Sequence, residues 1–234
     1  MIKLLGSIKN TFEAKLVKDL NFDITDIKNV GDGALGYVGD LSAMEISNIL
    51  KGKIISVTAG NFHHPGTDEI IERLILLDKL NISYIKIGFF DKSYLQEHQY
   101  FLQSTSKYSI KKIGVLFADL EYDDEDLSKI FCLNYDGFMI DTINKSSGSS
   151  INILEKSFIN SFIRICRLNN KLSGISGSLS TDNVHEVMKF NSDFVGFRGA
   201  LCSGFGRDEL DIMNCKALIS NIKQINQKMY LEVV

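Results

Sequence analysis

Short apolar runs rich in branched and aromatic residues recur along the whole 234-residue chain: Ile2–Leu5, Ile24–Ile27, Ile54–Thr58, Tyr84–Phe90, Ile113–Phe117, Gly137–Ile140, Leu172–Ser176 and Phe194–Phe197. Between them lie stretches with helical spacing. Thr11–Leu20 sets Phe12, Leu16 and Leu20 on one stripe, and Asp68–Leu80 does the same with Ile70, Leu74 and Leu77. Ile151–Leu168 and Asp208–Met229 are the longest candidate helices. Thr67 ahead of Asp68-Glu69, and Ser180–Asp182 ahead of Val184, have the polar chemistry of helix starts. Continuous apolar strands joined through helices predict a parallel sheet covered on its outer face. Eight such repeats of about 27 residues match the arithmetic of a single (β/α)8 barrel, here spanning residues 1–234.

An open, doubly wound sheet is the rival arrangement, and it would carry a glycine-rich nucleotide loop after the first strand. That position reads Gly6-Ser7-Ile8-Lys9-Asn10, with no GxGxxG or Walker pattern, so the barrel is the expectation. No Gly/Ser/Pro-rich linker divides the chain. The sole proline, Pro65, lies between the third strand and its helix, and Ser146-Ser147-Gly148-Ser149-Ser150 follows the sixth strand. Both loops therefore fall on the C-terminal rim, the active face of such barrels. The serine-rich run reads either as a lid or as a soft loop.

Composition narrows the function. The chain is 44% hydrophobic and 24% charged, enough to fill a large core. Its formal charge of -3 supplies no bulk positive field for nucleic acid or an anionic membrane, and no basic aromatic platform is present. No apolar run approaches the length of a membrane span, and the N-terminus lacks a signal-peptide pattern. The expectation is a cytoplasmic protein. Four cysteines without CxxC spacing read as reduced, mostly buried small hydrophobes.

Charged residues collect where strands should end. The second strand leads into Asp26-Ile27-Lys28, with Asp26 and Lys28 on one face by period-two alternation. Lys86 interrupts the apolar fourth strand, Asp119 follows the fifth, and Asp141 closes the sixth with Lys145 four residues on. An interior lysine must find a carboxylate, lose its proton more easily, or both. A lysine of depressed pKa attacks carbonyls to form Schiff bases, and a nearby carboxylate shuttles the protons. Three lysines and three aspartates on one rim thus suggest carbonyl chemistry on an anionic substrate. The competing reading is that individual lysines lie outward beneath helices or in inert ion pairs, and that the aspartates only bond turns.

The seventh and eighth strands run into Gly174-Ile175-Ser176-Gly177-Ser178 and Gly196-Phe197-Arg198-Gly199-Ala200. Loops in these places grip phosphate in many barrels. Gly177, Ser178 and Gly199 would offer backbone N–H groups, and Arg198 a bidentate contact; the alternative is that the glycines merely make tight turns. His63 and His64 are adjacent, and His98 and His185 fall on expected helices. No metal-ligand spacing is convincing, so neither a metal nor an organic cofactor is expected. The acidic run Glu121–Asp126 reads as a solvated helix start, with Asp123-Asp124 at its positive end.

These motifs, taken in order, resemble the (5-formylfuran-3-yl)methyl phosphate synthase family, also described as 4-(hydroxymethyl)-2-furancarboxaldehyde-phosphate synthase, of methanofuran biosynthesis. The resemblance rests on Asp26-Ile27-Lys28-Asn29 with Gly33-Ala34-Leu35-Gly36, Pro65-Gly66-Thr67, Tyr84-Ile85-Lys86-Ile87-Gly88 and Asp141-Thr142-Ile143-Asn144-Lys145. It continues through Ser176-Gly177-Ser178, Val195–Ala200, Cys202, Gly204 and Gly206-Arg207-Asp208, covering nearly the full length. It implies a class I aldolase-like barrel, a homo-oligomer, and a lyase that condenses two D-glyceraldehyde 3-phosphate molecules to a furan aldehyde phosphate, phosphate and two waters. It also implies that Lys28 forms the Schiff base, that Lys86 and Lys145 orient oxygens and move protons, and that Asp141 is the general acid/base, with Asp26 and Asp119 in support. Two departures stand out: Val30 and Ala34 replace the proline and serine of the family pattern. The first should loosen the loop after Lys28 without removing a reactive group. The run Thr58–His64 has no clear counterpart, which bears on substrate selection more than on reaction class. Another Schiff-base aldolase, or a silent subunit that binds a phosphorylated metabolite, would fit the same residues.

Overall fold

Alternate side chains of a strand point to opposite faces, and a closed parallel barrel gives the two faces different surroundings. A computed structural model describes residues 1–204 and 207–231. Its strands β1 (Lys3–Ile8), β2 (Ile24–Ile27), β3 (Ile55–Thr58), β4 (Tyr84–Gly88), β5 (Lys111–Phe117), β6 (Gly137–Asp141), β7 (Leu172–Ile175) and β8 (Phe194–Phe197) pair in chain order. β8 bonds back to β1, with Leu5 opposite Gly196, and closes the barrel. Helices α1 (Thr11–Val17), α2 (Asp40–Ile49), α3 (Asp68–Lys79), α4 (Leu95–Ser104), α5 (Asp124–Cys132), α6 (Ser150–Ile153), α7 (Lys156–Leu168), α8 (Val184–Lys189) and α9 (Ile212–Leu231) complete the described chain. Gly206 of the last family motif and residues 232–234 of the C-terminal tail lie outside the described residues.

The outward face of the strands, including Leu4, Ile27, Ile85, Ile87, Leu116, Phe138, Ile140, Ile175 and Val195, joins the helices in one buried cluster. The inward face is layered. Leu5, Ile24, Ile113, Val115, Phe117, Met139 and Phe194 form a separate apolar cluster. On that same face, one or two strand periods nearer the C-terminal rim, β2 places Asp26 and then Lys28, while β4 places Lys86 and β6 places Asp141. The apolar packing below makes the barrel a filled core rather than a pore, and the charged layer above it has nowhere to go but toward the rim.

Several helix expectations hold locally. Thr67 and Ser180 are the residues that precede α3 and the 3₁₀ turn leading to α8. Asp123 and Asp126 make a reciprocal capping box at the start of α5. Three readings need correction. The stripe Phe12, Leu16, Leu20 holds only in part: Leu16 and Leu20 pack half-buried against the core, but Phe12 is 73% exposed, and the residues α1 buries are Glu13, Ala14 and Val17. The segment 151–168 breaks between α6 and α7. The last helix starts at Ile212 rather than Asp208, because the residues just before it are tied back elsewhere: Cys202 bridges Leu210 and Asp211 N–H bonds to the Leu201 carbonyl.

Candidate active site

Lys28, Lys86, Asp26, Asp141 and Lys145 converge on one cavity of about 520 Å³ at the C-terminal rim, together with Ser7, Ser176, Gly177, Ser178, Gly199 and Arg207. The pairing register explains how. Ser7 on β1 lies beside Asp26 on β2, and its hydroxyl donates to that carboxylate at 2.9 Å. Lys86 reaches the other Asp26 oxygen at 2.6 Å, with both residues essentially sealed from solvent. Nearer the mouth, Lys28 Nζ lies 3.6 Å from Asp141 Oδ2, and Lys145 Nζ lies 2.8 Å from Oδ1 of the same carboxylate. Lys145 also donates to the carbonyl and hydroxyl of Thr142. It is the more exposed of the three lysines.

This arrangement separates the amines electrostatically. Burial pushes Lys28 down from the ordinary lysine value; Asp141 pushes back, and Lys145 and Lys86 add to the depression, leaving it at about 8. An amine in that state supplies free base near neutrality. For Asp141, burial works to raise the pKa, but Lys28, Lys145 and the Thr142 amide more than reverse it and hold the carboxyl well below the usual range. It is therefore held as a carboxylate 3.6 Å from the amine, a geometry in which it can accept a proton.

Gly177 and Ser178 line the same cavity, and the backbone there is unusual. Both have left-handed φ, +99° and +49°. A Cβ at residue 177 would meet the Asp141 backbone at 2.9 Å, so only glycine lets the loop after β7 pass so close to the end of β6. The Ser178 hydroxyl contacts Thr142 and the Lys145 carbonyl, which ties this loop to the one carrying Lys145. Among the described residues, the amides of Gly177 and Ser178 donate to no protein acceptor.

Two residues are placed differently from the sequence expectation. Asp119 lies off the cavity lining. Its two oxygens accept the Ile143 and Asn144 amides at 2.8 and 2.7 Å, so it holds the loop bearing Lys145 rather than joining the reactive groups. Arg198 borders the cavity, but its guanidinium makes a bidentate pair with Glu13 at 2.6 and 2.9 Å. Its other donors go to the carbonyls of Ser7, Arg207 and Asp208. With all five N–H groups of the fork engaged, the bidentate phosphate contact expected of it has no donor left. Sequence reasoning missed Ser7 and Glu13 and gave Arg207 no role. The only signals were a serine one register step from Asp26 and a carboxylate inside an otherwise amphipathic helix.

His63 and His64 stand apart, against the rings of Phe90 and Tyr94. Among the described residues, no group of three or more His, Cys, Asp or Glu could hold a metal ion, and no helix is long and apolar enough to cross a membrane.

Fold and site together define a class, a (β/α)8 barrel with an amine–carboxylate centre on the rim where such barrels work, and the family match makes it an enzyme of the lyase type. Within that class the chain belongs to the 4-HFC-P synthase family, whose model matches residues 4–218. It is 27% identical to the (5-formylfuran-3-yl)methyl phosphate synthase of Methanococcus aeolicus, over 88% of this chain and 92% of that one. A protein of Methylorubrum extorquens that bears the same name provisionally is also 27% identical, over 88% and 84% of the two chains. Among solved structures, 3-hexulose-6-phosphate synthase from Salmonella typhimurium superposes with a TM-score of 0.69 at 12% identity, covering 95% of this chain and 99% of the other. Phosphoribosyl anthranilate isomerase from Thermus thermophilus gives 0.63 at 10%, covering 96% and 100%. At those identities the structures share the fold.

Proposed function

We propose that this chain is a (5-formylfuran-3-yl)methyl phosphate synthase that joins two D-glyceraldehyde 3-phosphate molecules through a Schiff base on Lys28. The observation that carries the reading is a buried amine held near pKa 8 and 3.6 Å from an ionised carboxylate, in a member of the synthase family. The neutral Lys28 amine adds to the aldehyde carbon of one triose, and its proton passes to Asp141. Return of that proton to the alkoxide gives the neutral carbinolamine, and a second proton, from a neighbouring lysine ammonium, lets its hydroxyl leave as water and leaves an iminium. The iminium acidifies the adjacent C–H, whose proton is taken up by a carboxylate. The resulting enamine adds to the second triose aldehyde, and the new alkoxide is protonated from the ammonium groups around it. Elimination of one phosphate, ring closure and net loss of two waters, the imine water balanced by hydrolytic release from Lys28, give the furan aldehyde phosphate.

The other groups have roles that follow from position. Lys145, hydrogen-bonded to Asp141, keeps that carboxylate ionised and aimed. The Lys86–Asp26 pair lies deeper and supplies a donor and an acceptor for the carbonyl oxygen and the carbon being deprotonated. The unpaired amides of Gly177 and Ser178 suit a phosphate oxygen.

Mass spectrometry of the products formed from D-glyceraldehyde 3-phosphate tests the reaction, and borohydride trapping with peptide mapping tests the residue. A six-carbon furan aldehyde phosphate, with the reduced adduct on Lys28 and none in Lys28→Ala, is expected. An adduct without furan would assign the site to another aldolase reaction. Adduct formation undiminished in Lys28→Ala would move the nucleophile elsewhere.

A further inference from the structure

The cations around the cavity are not equivalent. Lys28, Lys86 and Lys145 each have a carboxylate within 4.0 Å, and Arg198 is locked to Glu13. Among the described residues, Arg207 is the cavity cation that forms no such pair. Its Nε is buried and has no hydrogen-bond partner among them. A buried donor without an acceptor costs free energy, and the residue that carries it is only half-buried on the cavity lining. A guanidinium is also a planar fork suited to phosphate oxygens.

The Arg198–Glu13 pair explains why Arg207 sits where it does. Both side chains are almost fully buried, and three of the Arg198 donations hold backbone: Ser7 at the end of β1, and Arg207 and Asp208 in the loop. Arg207 and Asp208 are thereby fastened to β1, β8 and α1, and Arg207 lines the cavity.

We infer that Arg207 recognises the phosphate monoester of a substrate, and that Arg198 with Glu13 are positioning residues that hold Arg207 over the cavity. This deepens the reading given above and rests on it for the identity of the substrate, a phosphorylated aldehyde. The recognition itself is separable, because inorganic phosphate alone should bind.

The test uses the full chain and two readouts. Calorimetric titration with inorganic phosphate should show Kd raised about 10- to 100-fold in Arg207→Gln, the loss expected for a charge-assisted pair, and partly restored in Arg207→Lys. In borohydride trapping, the preference for D-glyceraldehyde 3-phosphate over unphosphorylated D-glyceraldehyde should fall by a similar factor. Arg198→Lys keeps the charge but loses the fork, and it should weaken phosphate binding as Arg207→Gln does. The double variant should be no weaker than Arg207→Gln, a non-additivity that general loosening of the fold would not produce. Unchanged phosphate affinity in Arg207→Gln overturns the assignment. So does a further large loss when Arg198→Lys is added, since that would put Arg198 itself on the phosphate. If the unaltered chain forms no adduct with either aldehyde, the synthase reading fails while the phosphate titration still decides the role of Arg207.

Discussion

Replacing Asp141 by asparagine removes one charge with little change of shape, and the structure says which way Lys28 must respond. Asp141 raises the Lys28 pKa against burial and against the ammonium groups of Lys145 and Lys86. At 3.6 Å a unit-charge attraction amounts to ~1 kcal/mol in water-like surroundings and ~5 kcal/mol at an effective dielectric of about 20. Each pKa unit corresponds to about 1.4 kcal/mol, and Lys145 neutralises part of the carboxylate, so a fall of about one to two units is expected. On the proposed mechanism the neutral amine is the nucleophile, so adduct formation should rise with pH through its pKa. In the unaltered chain the rate should therefore climb to a midpoint near pH 8, and in Asp141→Asn the midpoint should lie between about pH 6 and 7. The plateau should drop by about 10²-fold or more, because the proton acceptor for carbinolamine formation and dehydration is gone. The assay is quenched-flow borohydride trapping with mass-spectrometric counting of the Lys28 adduct across pH. A midpoint that stays put or moves to higher pH would refute the electrostatic account of this amine. An undiminished plateau would remove Asp141 from proton transfer.

Two further outcomes follow from buried charge. Lys86→Met leaves Asp26 buried with only Ser7 as a partner and should lower stability by about 3–5 kcal/mol in urea unfolding; adding Asp26→Asn should recover much of that while activity stays lost, and full loss of stability in both would show the pair to be a packing element only. Glu13→Ala strands the Arg198 guanidinium and should cost about 3–5 kcal/mol by the same measurement, whereas Glu13→Leu with Arg198→Met should restore most of the stability; equal stability of Glu13→Ala and the unaltered chain would mean the pair has little hold on the loop.

Much of this molecule is written locally. Eight apolar runs at near-regular spacing need a parallel sheet sheathed in helices, because each run is buried on both faces and has a helical segment to return through. Period-two alternation places Asp26 and Lys28 on one face without reference to anything else in the chain. The isolated charge in the Tyr84–Gly88 run marks Lys86 as a residue that had to be paired. Strand ends in a barrel meet at one rim, so the gathering of Lys28, Lys86, Asp141 and Lys145 was already implied once the barrel was. The start of α5 and the turn at Ser180 were legible too, since a cap is settled within four residues.

Other features depended on contacts between residues far apart in the chain. The apolar stripe of α1 took in Phe12, which faces solvent, and a carboxylate at position 13 reads as solvated surface. Its inward turn makes sense only with Arg198, 185 residues later, in reach. By the same pairing Arg198 becomes a fastener and Arg207 the cation left facing the cavity, although both stand in the same glycine-rich stretch. Asp119 likewise looks like one more strand-end carboxylate until the Ile143 and Asn144 amides claim its oxygens. The sequence alone settled which charges reach the rim, because strand period and topology are short-range and repetitive. Tertiary structure alone decided which of those charges neutralise one another and which stay available for a substrate, because partner choice among buried ions depends on which groups the closed barrel brings within a few ångströms.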